Sequence, residues 1–201
     1  EVKMEVKLFN KWSVEGIKVD DPGLKRYINI KPVIVLRTGA RHAGNRFHKS
    51  KVNIVERLIN KIMNSGHKAK KHFKTSAYNT GKAHTAYNIV EKAFEVVENR
   101  TKKNPVLVFV KAVENAAPRE EILTIEYGGA RYPRAVESAP QRRVDQTLKL
   151  MTQGAYQKSF NSKKSIVNTL ADEIINAYGL STQSTALAKK NEMERQADSS
   201  R

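Results

Sequence analysis

Apolar residues recur every three to four positions along most of the chain beyond residue 50, the spacing of the buried face of an α-helix. In the first such segment they fall at Val55, Leu58 and Ile62, and Gly66 follows as a natural stop. The six predicted helices begin near Ser50, Ala83, Pro105, Pro140, Ser162 and Thr182, and they end near Gly66, Asn99, Pro118, Ser159, Tyr178 and the polar tail. The chain is therefore predicted to be mainly α.

Two of these helices have recognisable amino ends. Asn104 is a good capping residue, and Pro105 follows it at the first helical position, where proline is tolerated. Ser138 and Gln141 have the spacing of a capping box, in which the two side chains bond each other's backbone amides. Both patterns predict helix starts at these positions.

One segment has the two-residue period of β-strands instead. It runs from Ile122 to Ser138, with Gly128 and Gly129 between two alternating halves. Gly-Gly is a favoured hairpin loop because both residues tolerate a positive φ. We expect one β-hairpin at about residues 120–137.

Residues 1–49 show neither period, and prolines and glycines interrupt them. The apolar run Val33–Leu36 predicts either a short strand or a buried anchor. Side chains that can hold this segment on a core are Phe9, Trp12, Tyr27 and Ile28. The predicted fold is a six-helix, bundle-like body at residues 50–201 with one protruding hairpin, preceded by an irregular basic extension at residues 1–49.

The charge of the chain is large and uneven. Its 201 residues include 37 Lys and Arg against 20 Asp and Glu, a formal net charge of +17. Between Asp21 and Glu91 the only acid is Glu56, although 15 basic residues lie in that interval. Such a stretch repels itself in isolation, so it predicts a polyanionic partner.

Catalytic and metal chemistry find no support in the sequence. Asn79–Lys82 ends like a phosphate-binding loop, but Ser76 replaces the required glycine and Ala83 the required Ser or Thr. There is no cysteine, and no histidine has ligand spacing with carboxylate support; the histidines are His42, His48, His67, His72 and His84. Glu120 and Glu121 point to opposite faces of a strand, so they do not form a catalytic pair. We expect no enzyme activity, metal or cofactor.

Two basic segments carry the predicted RNA contacts. The first, RTGARHAGNRFHKSK, supplies Arg37, Arg41, Arg46, Lys49 and Lys51, and the second, HKAKKHFK, supplies Lys68, Lys70, Lys71 and Lys74. Small residues between the arginines let the backbone approach phosphates, which guanidinium groups bind at two points. A solvated charge run is the alternative for each segment, although no acids balance them.

The hairpin and the helix after it add a second group of cations. Arg131 and Arg134 are expected to hold phosphates, and Tyr127 or Tyr132 to stack on an unpaired base. The alternative is a hairpin packed flat on the domain through its apolar residues Ile122, Leu123 and Ile125. Arg142 and Arg143 stand in the first turn of the next helix, against the preference of the helix dipole, which suggests a phosphate there.

Three segments of the chain resemble the ribosomal protein S-seven family of the small subunit. They are KSKVNIVERLINKIMNSGHKAKK, AVENAAPREEILTIEYGGARYPRAVESAPQRR and KSIVNTLADEIINA. The extension, with KLFNKWSVEGIKVDDPGLKRYINIKP and RTGARHAGNRFHKSKV, is similar to the archaeal and eukaryotic branch. The resemblance covers nearly the whole chain.

The resemblance implies a structural protein of the cytoplasmic ribosome. It would bind the 3′ major (head) domain of small-subunit ribosomal RNA, help nucleate head assembly and lie near the exit-site tRNA, the mRNA exit path and neighbouring proteins. The implied ribosomal RNA contacts are Arg46, Lys49, Lys51, Arg142 and Arg143, and the implied exit-site residues are Gly128, Gly129, Arg131 and Arg134. Bacterial members start with an arginine-rich tail just before the first helix, where this chain has a longer extension, so the contacts of that tail do not transfer one for one. The chain ends in RQADSSR without the aromatic tail of bacterial members, so a role of that tail toward tRNA is not carried over.

A free-standing helical regulator that binds DNA or RNA is the second hypothesis. It requires a recognition helix whose side chains reach base edges, and no predicted helix has a clean basic face of that kind. We also expect part of residues 1–50 to become ordered only when RNA binds.

Overall fold

A computed structural model describes residues 6–39, 41–68, 71–72 and 78–201. Within them, the helices are α1 (Ile54–Ile62), α2 (Ala83–Thr101), α3 (Pro105–Ala116), α4 (Pro140–Ser159), α5 (Ile166–Tyr178) and α6 (Thr185–Asp198). The strands are β1 (His67–Lys68), β2 (Lys71–His72), β3 (Glu120–Tyr127) and β4 (Ala130–Glu137), and a short 3₁₀ turn spans His48–Lys51. The predicted mainly α class, with six helices and a hairpin, is confirmed. The short β1–β2 ladder was not predicted, since its residues were interpreted as a loop.

Helix α5 lies at the centre of the body and packs on α2, α3 and α4. The apolar stripes of the sequence supply this core, and its largest fully buried side chains include Phe94, Phe109, Leu148, Leu170 and Ile174. Full burial of a side chain of this kind stabilises a fold by roughly 1.5–3 kcal/mol. The helical period therefore located the core correctly.

Side-chain caps fix several helix starts. Asn53 accepts a bond from Val55 N at 2.9 Å, and Asn104 accepts one from Val106 N at 3.0 Å. Ser165 and Ser184 cap α5 and α6 in the same way. Because such caps end the preceding extended segment, α1, α5 and α6 begin three or four residues later than the sequence predicted.

The predicted capping box at the start of α4 is wrong. Ala139 is the N-cap residue and caps with no side chain. The backbone N–H of Ser138 donates instead to Arg119 O at 2.9 Å, which continues the hairpin by one residue. Ser138 therefore belongs to the end of the hairpin, and Gln141 lies one position too early in the helix to complete the box.

The extension lies on the same core as the helices. Its described part from residue 6 to 47 contains isolated bridges and turns but no helix or regular strand, as predicted. Trp12 is buried against Phe9 and Phe94, and its indole N–H donates to Glu98 at 2.9 Å. In the run Val33–Leu36 no strand forms, and Leu36 is the buried anchor.

The hairpin projects from the body. Its loop residues Gly128 and Gly129 have φ values of +57° and +79°, so both need the left-handed region that glycine enters without strain. Only the base of the hairpin contacts helix α6. Leu123 and Ile125 remain 53% and 40% exposed, which rules out the alternative of a hairpin packed flat on the domain.

Candidate nucleic-acid interface

A basic groove of about 490 Å³ runs between the extension and the amino-terminal half of α4. Its walls come from three separate parts of the sequence: the segment before α1, helix α1 and helix α4. The lining residues are Arg46, Phe47, Lys49, Lys61, Ala139, Gln141, Arg142, Asp145, Gln146 and Lys149. Five of the ten are cations and one is an acid, so the groove is suited to an anion. We call it the α4 groove.

Asp145, the one acid among the described residues that line the α4 groove, is already paired. Asp145 accepts a hydrogen bond from Arg57 at 3.0 Å and another from Lys49. Burial by itself would raise the pKa of the Asp145 carboxyl, but these bonds and the charges of Arg57 and Lys49 outweigh it and lower the pKa. The guanidinium of Arg57, 6% exposed, also donates to the Tyr27 carbonyl at 3.0 Å. Asp145 thus serves the fold through Arg57 and Lys49, and Arg46, Lys61 and Lys149 form no ion pair with it.

The pKa of the Lys61 amine is affected by the positive charges near it. Burial lowers the pKa of its amine most, and Lys49, Arg57 and Lys149 lower it further, while Asp145 acts in the opposite direction. An anion entering the groove would relieve this repulsion and raise the same pKa. The electrostatic environment of Lys61 therefore favours the binding of a phosphate-bearing ligand in the α4 groove.

The predicted residues of the first basic segment lie on the surface. Arg37, Arg41, Arg46, Lys49 and Lys51 are all exposed. Arg46 and Lys49 line the α4 groove, and the Arg46 guanidinium lies 5.6 Å from the centre of the Phe47 ring. An arginine beside an exposed aromatic ring is a common surface for nucleic acid.

The predicted arginine pair at the start of α4 is split. Arg142 is exposed in the groove, where its Nε lies 2.6 Å from a carboxylate oxygen of Glu121 at the base of the hairpin. The Arg143 side chain is only 10% exposed, donating to Asp21 at 2.8 Å and to the Pro118 carbonyl at 3.1 Å. Arg143 is thereby committed to holding the extension on the body, and a phosphate contact at this residue does not fit the geometry.

The two faces of the hairpin differ. Leu123, Ile125 and Tyr127 share one face with Tyr132 and Arg134, and Tyr127 is 82% exposed. On the other face Arg131 lies opposite Glu126, with Nε 3.7 Å from its carboxylate. The exposed tyrosines and Arg134 thus stand together, as stacking on RNA requires, while Arg131 has an acidic neighbour. Neither arginine lines the α4 groove.

The second basic segment is described only in part. The backbones of Lys68 and Lys71 pair in the β1–β2 ladder. Lys70 and Lys74 lie outside the described residues.

The sequence reasoning missed several residues of the groove, among them Lys61, Lys149 and Gln141. Lys149 follows Arg142 by seven positions and Lys61 follows Arg57 by four, spacings that place each pair on one helix face. A helical projection of the cations would have found both lysines. Gln141 gave no such signal, since it was assigned to a capping box.

No group of three or more His, Asp or Glu side chains suited to a metal ion occurs among the described residues. Glu120 forms an ion pair with Arg201, whereas Glu121 forms one with Arg142. In the same part of the chain, no helix is both long and apolar enough to cross a bilayer.

Comparison with known proteins gives one consistent family. The family model described as ribosomal protein S7p/S5e matches residues 24–201. The small ribosomal subunit protein uS7 of Nanoarchaeum equitans is 52% identical over 198 residues, covering 98% of this chain and all of the relative. Proteins of the same name from Methanothrix thermoacetophila and Archaeoglobus fulgidus are 48% and 46% identical, over 98% and 99% of this chain and 100% and 97% of the relatives.

Proposed function

This chain belongs to the ribosomal protein S7p/S5e family and is a non-enzymatic structural constituent of the small ribosomal subunit, and we propose that it binds the 3′ major (head) domain of that subunit's RNA. The α4 groove and the exposed cations of the extension form the binding surface. Bound there in the cytoplasmic ribosome, the protein helps to nucleate assembly of the head and contacts neighbouring ribosomal proteins.

The observation that carries this proposal is the charge of the α4 groove. One groove is lined by Arg46, Lys49, Lys61, Arg142 and Lys149, and the single acid among its described lining residues, Asp145, is held by Arg57 and Lys49. Folded RNA is the polyanion that a ribosomal constituent meets, and its closely spaced phosphates suit several cations set in one concave surface. We therefore assign the RNA contacts to Arg37, Arg41, Arg46, Lys49, Lys51, Lys68, Lys70, Lys71, Lys74 and Arg142, and we add Lys61 and Lys149.

The experiment compares transcripts of the 3′ major domain and of another domain of the same ribosomal RNA. The affinity of the full chain for the first should fall steeply with salt, because each phosphate contact releases counterions. The double variant Arg142→Ala, Lys149→Ala should reduce the slope of log K against log salt by about two. Lys189→Ala and Lys92→Ala together remove the same charge from exposed positions of α6 and α2 as a control. Equal affinity for both transcripts, or equal slopes for the two double variants, would overturn the proposal.

For the hairpin we propose a position beside the exit-site tRNA and the mRNA exit path. Its support is the exposed face of Tyr127, Tyr132 and Arg134, carried at the end of a ribbon whose glycine loop, Gly128-Gly129, leaves room for close backbone approach. Arg131 borders this face at the tip. Small subunits that carry Tyr132→Ala with Arg134→Ala should protect exit-site tRNA less from cleavage, while Thr124→Ala on the opposite face should not alter the protection. Unchanged protection in the double variant would rule out this position.

A further inference from the structure

The side chain of Gln141 is an anomaly within the α4 groove. It is 6% exposed, and neither its amide nitrogen nor its amide oxygen has a hydrogen-bond partner in the described part of the protein. Buried polar groups are nearly always bonded, because an unsatisfied one keeps the full cost of its desolvation. Gln141 lines the groove and stands at the second position of α4, whose amino end no side chain caps. The site is therefore incomplete in the protein alone.

The two unpartnered atoms of the Gln141 amide restrict which chemical groups can bind to this side chain. The amide nitrogen donates and the amide oxygen accepts, so a single group satisfies both only if it offers an acceptor and a donor side by side. A phosphate offers acceptors alone and would leave the oxygen unpaired. The edge of a nucleobase offers both, and glutamine is a common bidentate partner of such an edge.

Two further features of the groove match a nucleotide. The ring of Phe47, 63% exposed, lines the groove and can accept the flat face of a base. Arg142, Lys149 and Lys61 lie around the same space, where they can hold the flanking phosphates. Since nothing in the described protein holds the Gln141 amide, it can turn toward the groove when a base enters.

We propose that the α4 groove receives one unstacked nucleobase of the bound RNA, with the edge of the base on the Gln141 amide and its face on Phe47. This proposal rests on the proposed function and adds base recognition to it. The cations of the groove supply affinity for RNA of any sequence, and Gln141 selects the nucleotide that seats there.

The test uses the full-length chain bound to small-subunit ribosomal RNA. Gln141→Met keeps the length of the side chain and removes both hydrogen-bonding atoms, and Gln157→Met makes the same change at an exposed position of α4. Base-specific chemical probes should show one unpaired base that is protected by the parent protein and by the control but not by Gln141→Met. Cleavage of the sugar-phosphate backbone should give the same footprint for all three proteins.

Affinity gives the second readout. Gln141→Met should weaken RNA binding roughly 5- to 150-fold, the loss expected for one bidentate base contact. Its salt slope and its affinity for inorganic polyphosphate should not change, and its thermal midpoint should be no lower than that of the parent. Equal affinity and equal base reactivity for Gln141→Met and the parent would overturn base recognition, as would an equal loss toward polyphosphate. Failure of every protein to bind the RNA would instead overturn the proposed function.

Discussion

Arg57 and Asp145 join helices α1 and α4 through a hydrogen bond of 3.0 Å beneath the α4 groove. The pair fixes the distance between two walls of the groove, because α1 carries Lys61 and α4 carries Arg142 and Lys149. The same carboxylate holds Lys49 of the segment before α1. The Asp145 side chain thus links all three walls of the α4 groove.

We predict that Asp145→Asn lowers the free energy of unfolding by about 3 kcal/mol, because it leaves the buried guanidinium of Arg57 without its counter-charge. Denaturant unfolding measures the loss. Asp172→Asn is the matched control, since Asp172 pairs with Arg100, which is 47% exposed, and exposed pairs contribute about 0–1 kcal/mol. Equal losses for the two variants would show that Asp145 has no special role in joining α1 to α4.

The loss of stability at acidic pH should depend on the same carboxylate, that of Asp145. The pKa of Asp145 is lowered from its ordinary value of 3.8 in the folded state, so the unfolded chain binds its proton first as pH falls. The stability that Asp145 contributes is complete above the unfolded pKa and disappears as pH falls through the folded pKa. Between about pH 5 and pH 2, the free energy of unfolding should therefore fall more steeply for the parent than for Asp145→Asn. Parallel curves would contradict the prediction.

A third prediction concerns the contact between α4 and α6. Glu173 is fully buried and accepts bonds from Thr185 N at 2.9 Å and from Ser184 Oγ at 2.9 Å, which fastens the start of α6 to α5. Gly154 faces this junction, and a Cβ atom there would lie 2.7 Å from Thr185 and 2.8 Å from Glu173. Gly154→Ala should therefore destabilise the protein by about 1–3 kcal/mol, although glycine to alanine inside a helix normally stabilises by about 1 kcal/mol.

Gly179→Ala serves as the control for this substitution. Gly179 has a negative φ of −79°, and the nearest atom to an added Cβ is 3.5 Å away. Its thermal midpoint should stay close to that of the parent, while that of Gly154→Ala should fall by several degrees. A Gly154→Ala variant as stable as the parent would mean that α4 and α6 are not in close contact at this point.

The local elements of this fold were predictable from the sequence, and the long-range pairings were not. The helical period and the Gly128-Gly129 pair identified the helices and the hairpin because both signals lie within short segments. The burial of Arg143 depends on Asp21, which lies 122 residues away, and no local pattern encodes that contact. The role of Gln141 was predicted wrongly for a related reason. The backbone N–H of Ser138 donates to the Arg119 carbonyl at the end of the hairpin, so Ser138 does not cap α4.

The sequence predicted some of the cations that line the α4 groove but not others. Uncompensated charge pointed to Arg46 and Lys49, since a run without acids is visible in the sequence, and Arg142 was predicted from its place in the first turn of α4, against the preference of the helix dipole. Which cations share one surface depends on how α1 packs against α4, so a helical projection can place Lys61 and Lys149 on the faces of Arg57 and Arg142 but cannot bring the two lysines into one groove. The role of Asp145 was likewise invisible, because an acid within a basic protein becomes meaningful only when its partners are known.

The last prediction separates the anchored from the exposed parts of the extension. Tyr27 N and Ile28 N donate to the Leu24 carbonyl, and Leu24 is fully buried, so these amides should exchange slowly with solvent in the isolated protein. Residues 41–47 contain exposed arginines and contribute no side chain to the buried core. Their amides should exchange within seconds in the isolated protein and become protected when ribosomal RNA binds, because the phosphates then order the segment. Hydrogen exchange followed by mass spectrometry measures both states, and strong protection of residues 41–47 without RNA would show that this segment is already ordered.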